Sequence, residues 1–256
     1  NRRGVDPGVV LLDELDANGG RPLWPNLLFL DLAGLFGGLG QARTSRLPHR
    51  IQLLIDSHRQ LTDLSLLATP LSRRSWTTSD GRQLKVASAA TAMGSKRALA
   101  LYSKTQRAPL AVHALKALLT HGFVSSLPDD DILECASLVE RMMRFYSSIE
   151  AIQEHGARCQ IFIASHLQDW RMGIARPVLY DDFVSPCVKA AEAFPLNEKI
   201  SERTLRLMEI APFDFDAVGI VRIMRIGMNL MVQRGGFIGE GFRIIYERMR
   251  YMDDSE

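Results

Sequence analysis

Residues able to do chemistry are sparse in this chain, and each group falls one ingredient short. Asp130-Asp131 with Glu134, and Asp181-Asp182 with Ser185, are acidic clusters of the kind that hold magnesium. Magnesium demands near-octahedral oxygen ligation, usually shared with substrate phosphates, and two loose clusters do not supply it. His155 and Cys159 stand four apart on a predicted helix, with His166 further along it. Structural zinc takes four ligands, and Cys135 and Cys187 are distant in sequence. No Gly-x-Ser-x-Gly elbow presents a nucleophile. Gly34-Leu-Phe-Gly-Gly-Leu-Gly40 and Gly235-Gly-Phe-Ile-Gly-Glu-Gly241 lack the lysine of a phosphate-binding loop and show no strand pattern before them. The expectation is a non-enzyme with no metal and no cofactor. Asp129, Asp130 and Asp131 then read as the negative start of a helix, complementing its dipole.

Charge is more informative. Between Arg43 and Arg107 there are twelve Lys or Arg against three Asp, a net of +9. The remainder holds nineteen cations against twenty-six acids, a net of −7. Clustered cations attract polyanions, so RNA is the first candidate partner. The predicted contacts are Arg43, Arg46, Arg50, Arg73, Arg74, Arg82, Lys85, Lys96 and Arg97, facing phosphates, with Trp76 stacking on an unpaired base. The acidic remainder would meet protein neighbours. Scattered around several helices, the same cations would be ordinary solvated faces.

Those residues need a folded frame, and the composition allows one. At 256 residues, 46% hydrophobic and 23% charged, global disorder is excluded, and one large domain or two small ones fit. Three cysteines without framework spacing argue against a disulfide-stapled module and for a reducing intracellular compartment. The longest apolar stretch, Leu23 to Leu39, is broken by Pro25, Asn26 and Asp31, so it reads as a buried helix and not a membrane span. Arg2 and Arg3 fit the basic end of an organellar presequence, which makes the mitochondrial matrix the expected setting.

Helix signals recur along the chain and predict an all-α fold of irregular stacked hairpins, solenoid-like or bundled. Asp6-Pro7 opens a first helix that ends near Asn18-Gly19-Gly20. Pro25 opens a second over Leu27 to Leu39, and Pro48 a third over Ile51 to Leu61. Gln83 to Lys104 is rich in Ala, Leu and Lys, with a break at Gly94. Further helices are predicted for 108–121 with a stop at Gly122, for 132–145, 149–170 and 188–194, and after a cap at Asn197. Phe215 to Val232, apolar nearly all round, is predicted to be central, followed by an amphipathic helix carrying Phe242, Ile245, Tyr246, Met249 and Met252. Pro70, the Ser and Thr residues and Asp80-Gly81 mark 70–82 as a basic exposed loop. It would separate an N-terminal helical segment, 1–69, from a main helical domain, 83–256, unless the chain is one continuous domain.

Two segments are alike. Leu127-Pro-Asp-Asp-Asp-Ile-Leu-Glu-Cys-Ala-Ser-Leu-Val-Glu-Arg-Met-Met143 aligns with 211–227 through Pro128 and Pro212, Asp130 and Asp214, and Arg141 and Arg225. Each follows a shorter helix, giving a unit of helix, Pro/Asp turn and longer helix. The turn and the helix Asp216-Ala-Val-Gly-Ile-Val-Arg-Ile-Met-Arg-Ile-Gly227 resemble the degenerate helical-repeat proteins of organelles, the octatricopeptide and heptatricopeptide-like kinds. That resemblance covers two or three units and has no regular period. It implies an RNA-associated scaffold, without a base-reading position. Asp130-Asp131-Ile-Leu-Glu134 and Asp181-Asp-Phe-Val-Ser185 also resemble the metal motifs of isoprenoid synthases. Lys189 stands where that family has a glutamate, and Pro186 breaks the helix that would carry the ligands.

The functional expectation is therefore a non-catalytic subunit of a large organellar ribonucleoprotein, in its sharper form a mitochondrial ribosomal protein touching RNA through 43–107. The alternatives are a protein-only subunit of a respiratory or ATP synthase complex, a viral helical nucleoprotein and an isoprenoid-type enzyme.

Overall fold

Asp6 shows how the chain starts its first helix. The computed structural model describes residues 6–37, 44–120, 126–167, 184–210 and 217–233. In it, Asp6 Oδ1 accepts from the Gly8 amide at 2.8 Å and so caps α1, Pro7–Ala17, where Pro7 at the first turn removes another orphan amide. The other oxygen, Oδ2, accepts from the Phe36 amide at 2.6 Å. One carboxylate thus fixes both a helix start and a turn thirty residues later, where Phe36 is held at φ 67° with its ring buried.

The chain forms two compact units, 1–126 and 127–256. Unit 1 continues with β1, Phe29–Asp31; α2, Leu47–Ser57; β2, Asp63–Ser65; β3, Lys85–Ala87; α3, Ala92–Tyr102; and α4, Ala108–Leu118. The three strands make a parallel sheet in the order β1-β2-β3, with Phe29, Asp63 and Lys85 in one row and Asp31, Ser65 and Ala87 in the last. Alternation along the strands gives the sheet two faces. Leu30, Leu64 and Val86 join the core made by Leu12, Leu15, Ile51, Leu54, Ile55 and Trp76. Asp31 and Ser65 turn the other way, toward α3.

The chain is predominantly helical, as its sequence predicts, with nine helices among the described residues, and the small sheet is an addition to that expectation. Two predicted helices are corrected by it. Leu27 to Leu30 is a short apolar run fenced by Pro25 and Gly34, a pattern whose periodicity does not separate strand from helix, and pairing with β2 decides for strand. Likewise α3 starts only at Ala92, because Lys85–Ala87 is claimed by β2, a tertiary override of good helix propensity. Gly94 does not break α3. It sits in the first turn, where a Cβ would come within 2.9 Å of Ser88 Oγ and 3.2 Å of the Ser88 carbonyl.

The loop 70–82 lies inside unit 1 and is anchored at several points. Leu71 and Trp76 are in the core. Gln52 Nε2 donates to the Thr77 carbonyl at 2.9 Å, and the Ser79 amide donates to Asp56 Oδ1 at 3.0 Å. It connects two parallel strands in the place where a crossover helix is usual.

Unit 2 is built from α5, Asp129–Phe145; α6, Glu150–His166; α7, Ser185–Ala193; α8, Glu198–Ile210; and α9, Ala217–Gln233. Helix α6 is central, packing on α5, α7 and α8, while α8 also packs on α9. Close approach of α5 and α6 needs Gly156, where a Cβ would lie 2.5 Å from Met143 Cγ. Gln153 Nε2 donates to the Met143 and Tyr146 carbonyls at 2.8 and 2.9 Å, satisfying the end of α5. Asn197 caps α8 as predicted, accepting from the Ile200 amide at 3.0 Å. Helix α9 is not enclosed as its composition suggests. Ile223, Ile226 and Leu230 are buried, but Val221, Met224, Met228 and Val232 are exposed, because its packing partners α7 and α8 cover one side. The Gly122 stop, Asp181-Asp182, the turn at 211–216 and the amphipathic 242–252 segment lie outside the described residues. Of the two similar hairpins, α8 and α9 pack together, whereas α4 and α5 belong to different units.

Candidate functional site

Parallel strands that end in one row place their last side chains together, and the carboxyl edge of such a sheet is where ligand sites usually form. Here that row begins Asp31, Ser65. Tyr102, on the last turn of α3 and fully buried, reaches both: its hydroxyl is 2.7 Å from Ser65 Oγ and donates to Asp31 Oδ1 at 2.9 Å. Asp31 Oδ1 also accepts from the Ala33 amide at 3.0 Å, and Oδ2 takes the Arg107 guanidinium, which reaches on to the Ala33 carbonyl. Burial drives the Tyr102 hydroxyl far above the usual tyrosine range, and the neighbouring Asp31 charge adds to this against the opposing Ser65 bond and Arg107 charge. The phenol therefore stays protonated and donating. Asp31 accepts from Tyr102, the Ala33 amide and Arg107, and Tyr102 also meets Ser65, so the cluster braces β1, β2 and α3.

This brace is not visible in sequence. Asp31 is 71 residues from Tyr102 and 76 from Arg107, and Ser65 is 37 from Tyr102, so no short motif relates them. An aspartate ending an apolar run is the one available signal, and by itself it reads as a helix interruption.

The predicted RNA contacts divide into three groups. Arg43 lies outside the described residues. Arg50, Arg82 and Trp76 serve the fold. Arg50 is held between Asp13 and Asp16, each at 2.7 Å. Arg82 pairs with Asp80 at 2.6 Å and donates to the Arg59 carbonyl at 2.6 Å and the Ile55 carbonyl at 3.3 Å, closing the end of α2. Trp76 is only 8% exposed and packs in the core, which corrects its expected stacking on a base. The sequence suggests an exposed loop tip, but the indole is the loop's apolar anchor, and Arg74 covers it with its guanidinium 5.4 Å from the ring centre.

The other predicted cations are at the surface or half-buried. Arg46, Arg73, Arg74 and Lys85 are exposed, and Lys96 and Arg97 are half-buried on α3. A bond from the Ala89 amide to the Ser72 carbonyl, 2.8 Å, brings the segment carrying Arg73 and Arg74 beside the loop that opens α3. Arg73 and Arg74 thus follow a residue bonded just beyond the end of β3, and Lys96 and Arg97 lie on the helix that begins after it. Arg59 and Lys104, exposed as well, add to the basic surface outside the predicted set.

Among the described residues no group of three His, Cys, Asp or Glu side chains is placed to hold a metal ion. Asp129, Asp130 and Asp131 occupy the first turn of α5. Cys135, Cys159 and Cys187 are buried thiols of unit 2 that form no disulfide, and burial pushes Cys159 and Cys187 far above the usual thiol range, which lowers their reactivity. No described helix is long and apolar enough to cross a membrane. No family model, curated protein or solved structure matches the chain.

Proposed function

We propose that this protein is a non-catalytic, RNA-associated subunit of a larger ribonucleoprotein assembly, with unit 1 as the RNA-facing part. The observation that carries the reading is how charge is distributed over the two units. Unit 1 holds sixteen Lys and Arg against eight Asp and Glu, a net of +8, and unit 2 holds fifteen against twenty-one, a net of −6. Within unit 1 every acid but Glu14 is tied to an internal partner: Asp13 and Asp16 to Arg50, Asp31 to Arg107, Asp80 to Arg82, and Asp6, Asp56 and Asp63 to hydrogen-bond donors. Arg46, Arg59, Arg73, Lys85 and Lys104 make no ion pair among the described residues. With twice as many cations as acids, and Arg50, Arg82 and Arg107 alone shown in ion pairs with them, the surface of unit 1 carries an excess of positive charge, the electrostatic footprint of a polyanion partner.

Unit 2 supports the subunit part of the reading. Val221, Met224, Met228 and Val232 line one side of α9 in the open, and exposed methionine-rich faces suit protein contact. The organellar, mitochondrial setting rests on the resemblance of the Pro/Asp-turn helices to organellar helical-repeat proteins.

The test is RNA binding by the intact chain across a salt series, beside an Arg73→Ala/Arg74→Ala/Arg97→Ala variant. Removing one cation from a phosphate lowers the slope of log K against log salt by roughly 0.7 for single strands, so the variant is expected to bind more weakly with a slope shallower by about 2. An unchanged slope, or a parent that does not bind, would remove this function and leave a protein-only scaffold.

A further inference from the structure

We infer that β1 is a docking edge for β1 of a second copy of this chain, joined antiparallel to make a continuous six-stranded sheet. The inference starts from where the backbone of β1 points. Leu28 accepts through its carbonyl from the Asp63 amide at 3.1 Å, and the Leu32 amide donates to the Ser65 carbonyl at 2.9 Å, so Leu28, Leu30 and Leu32 are the residues that bond to β2. The backbone groups of Phe29 and Asp31 point away from the sheet. Among the described residues no hydrogen bond occupies them.

An open strand edge is a template for another strand, and proteins usually blunt it. The opposite edge of this sheet is blunted. Lys85 sits at the start of β3, and the loop carrying Ser72 bonds to Ala89 just beyond its end. The β1 edge carries exposed apolar residues instead: Phe29 is 45% exposed and Leu28, just before it, 58%.

The edge is complementary to itself. With Leu30 facing Leu30 across a two-fold axis, Phe29 of one copy stands opposite Asp31 of the other, and each such pair exchanges two N–H to C=O bonds, the isologous arrangement of a two-fold dimer. All four outward donors and acceptors are then used. A three-stranded sheet of three-residue strands is small by itself, and doubling brings it into the common range.

Sedimentation velocity on the nuclease-treated full chain over the micromolar range reads the dimer directly. Phe29→Pro removes the outward N–H without touching the β1–β2 ladder, and Phe29→Lys places a charge on the edge. Phe29→Pro is expected to weaken association about thirtyfold, since two bonds between the copies disappear per dimer. Circular dichroism of both variants should match the parent. Leu30 residues facing each other lie within disulfide reach, so Leu30→Cys should give a covalent dimer on mild oxidation while Leu53→Cys, on exposed α2 surface, should not. The native thiols are buried and leave this background clean. A monomeric parent throughout, a dimer indifferent to both Phe29 variants, or equal cross-linking by the two cysteines would overturn the inference.

Discussion

Replacing Tyr102 by Phe tests whether the Asp31–Tyr102–Ser65 cluster braces unit 1. The hydroxyl makes two buried bonds, 2.7 Å to Ser65 Oγ and 2.9 Å to the Asp31 carboxylate. A neutral bond of this kind contributes about 1 kcal/mol and one to a charged group about 2 kcal/mol, so Tyr102→Phe is expected to cost about 3 kcal/mol. Part of that cost arises because Ser65, fully buried, is left without its partner. Ser65→Ala in the Tyr102→Phe background should then cost about 1 kcal/mol less than it does alone, a coupling expected of bonded residues and absent between independent sites. Denaturant unfolding followed by tryptophan fluorescence suits the measurement, with Trp170 replaced by Phe, since Trp76 lies in the core of unit 1 and Trp24 in the same unit. A Tyr102→Phe cost under about 0.5 kcal/mol, or strictly additive single effects, would refute the brace.

Two further outcomes follow from the same geometry. Trp76→Ala should destabilise unit 1 by about 3–5 kcal/mol in thermal or denaturant unfolding, as expected for a buried aromatic; a drop in RNA affinity with full stability would show that the indole faces a ligand instead. In unit 2, burial works to raise the Glu154 carboxyl, but the charges of Arg203, Lys199 and His155 outweigh it and hold the group below its ordinary value. A lowered folded-state value means that the contribution is whole above the unfolded value and drains away as pH falls through the folded one. Stability measured from neutral pH down to acid should therefore fall more steeply in the parent than in Glu154→Gln; parallel curves would count against it.

Much of the helical frame is legible because its signals are local. Asp6-Pro7, Pro48, the three aspartates at 129–131 and Asn197 each mark a helix start through groups within one turn, and the structure starts helices at all four places. Where the signal depends on a distant partner, local reading fails. Leu27 to Leu30 and Val86 carry no period that distinguishes strand from helix until β2 lies between them. The site divides the same way. Sequence counts alone located the excess of cations in the first half of the chain, since net charge needs no coordinates. Only the tertiary structure decided which cations are spent, because an ion pair such as Arg107 with Asp31 joins residues 76 apart. It also decided that Trp76 is buried, since burial depends on what the fold brings together, here a core that includes Ile51, Leu54 and Ile55 of the preceding helix and Leu64 of the sheet.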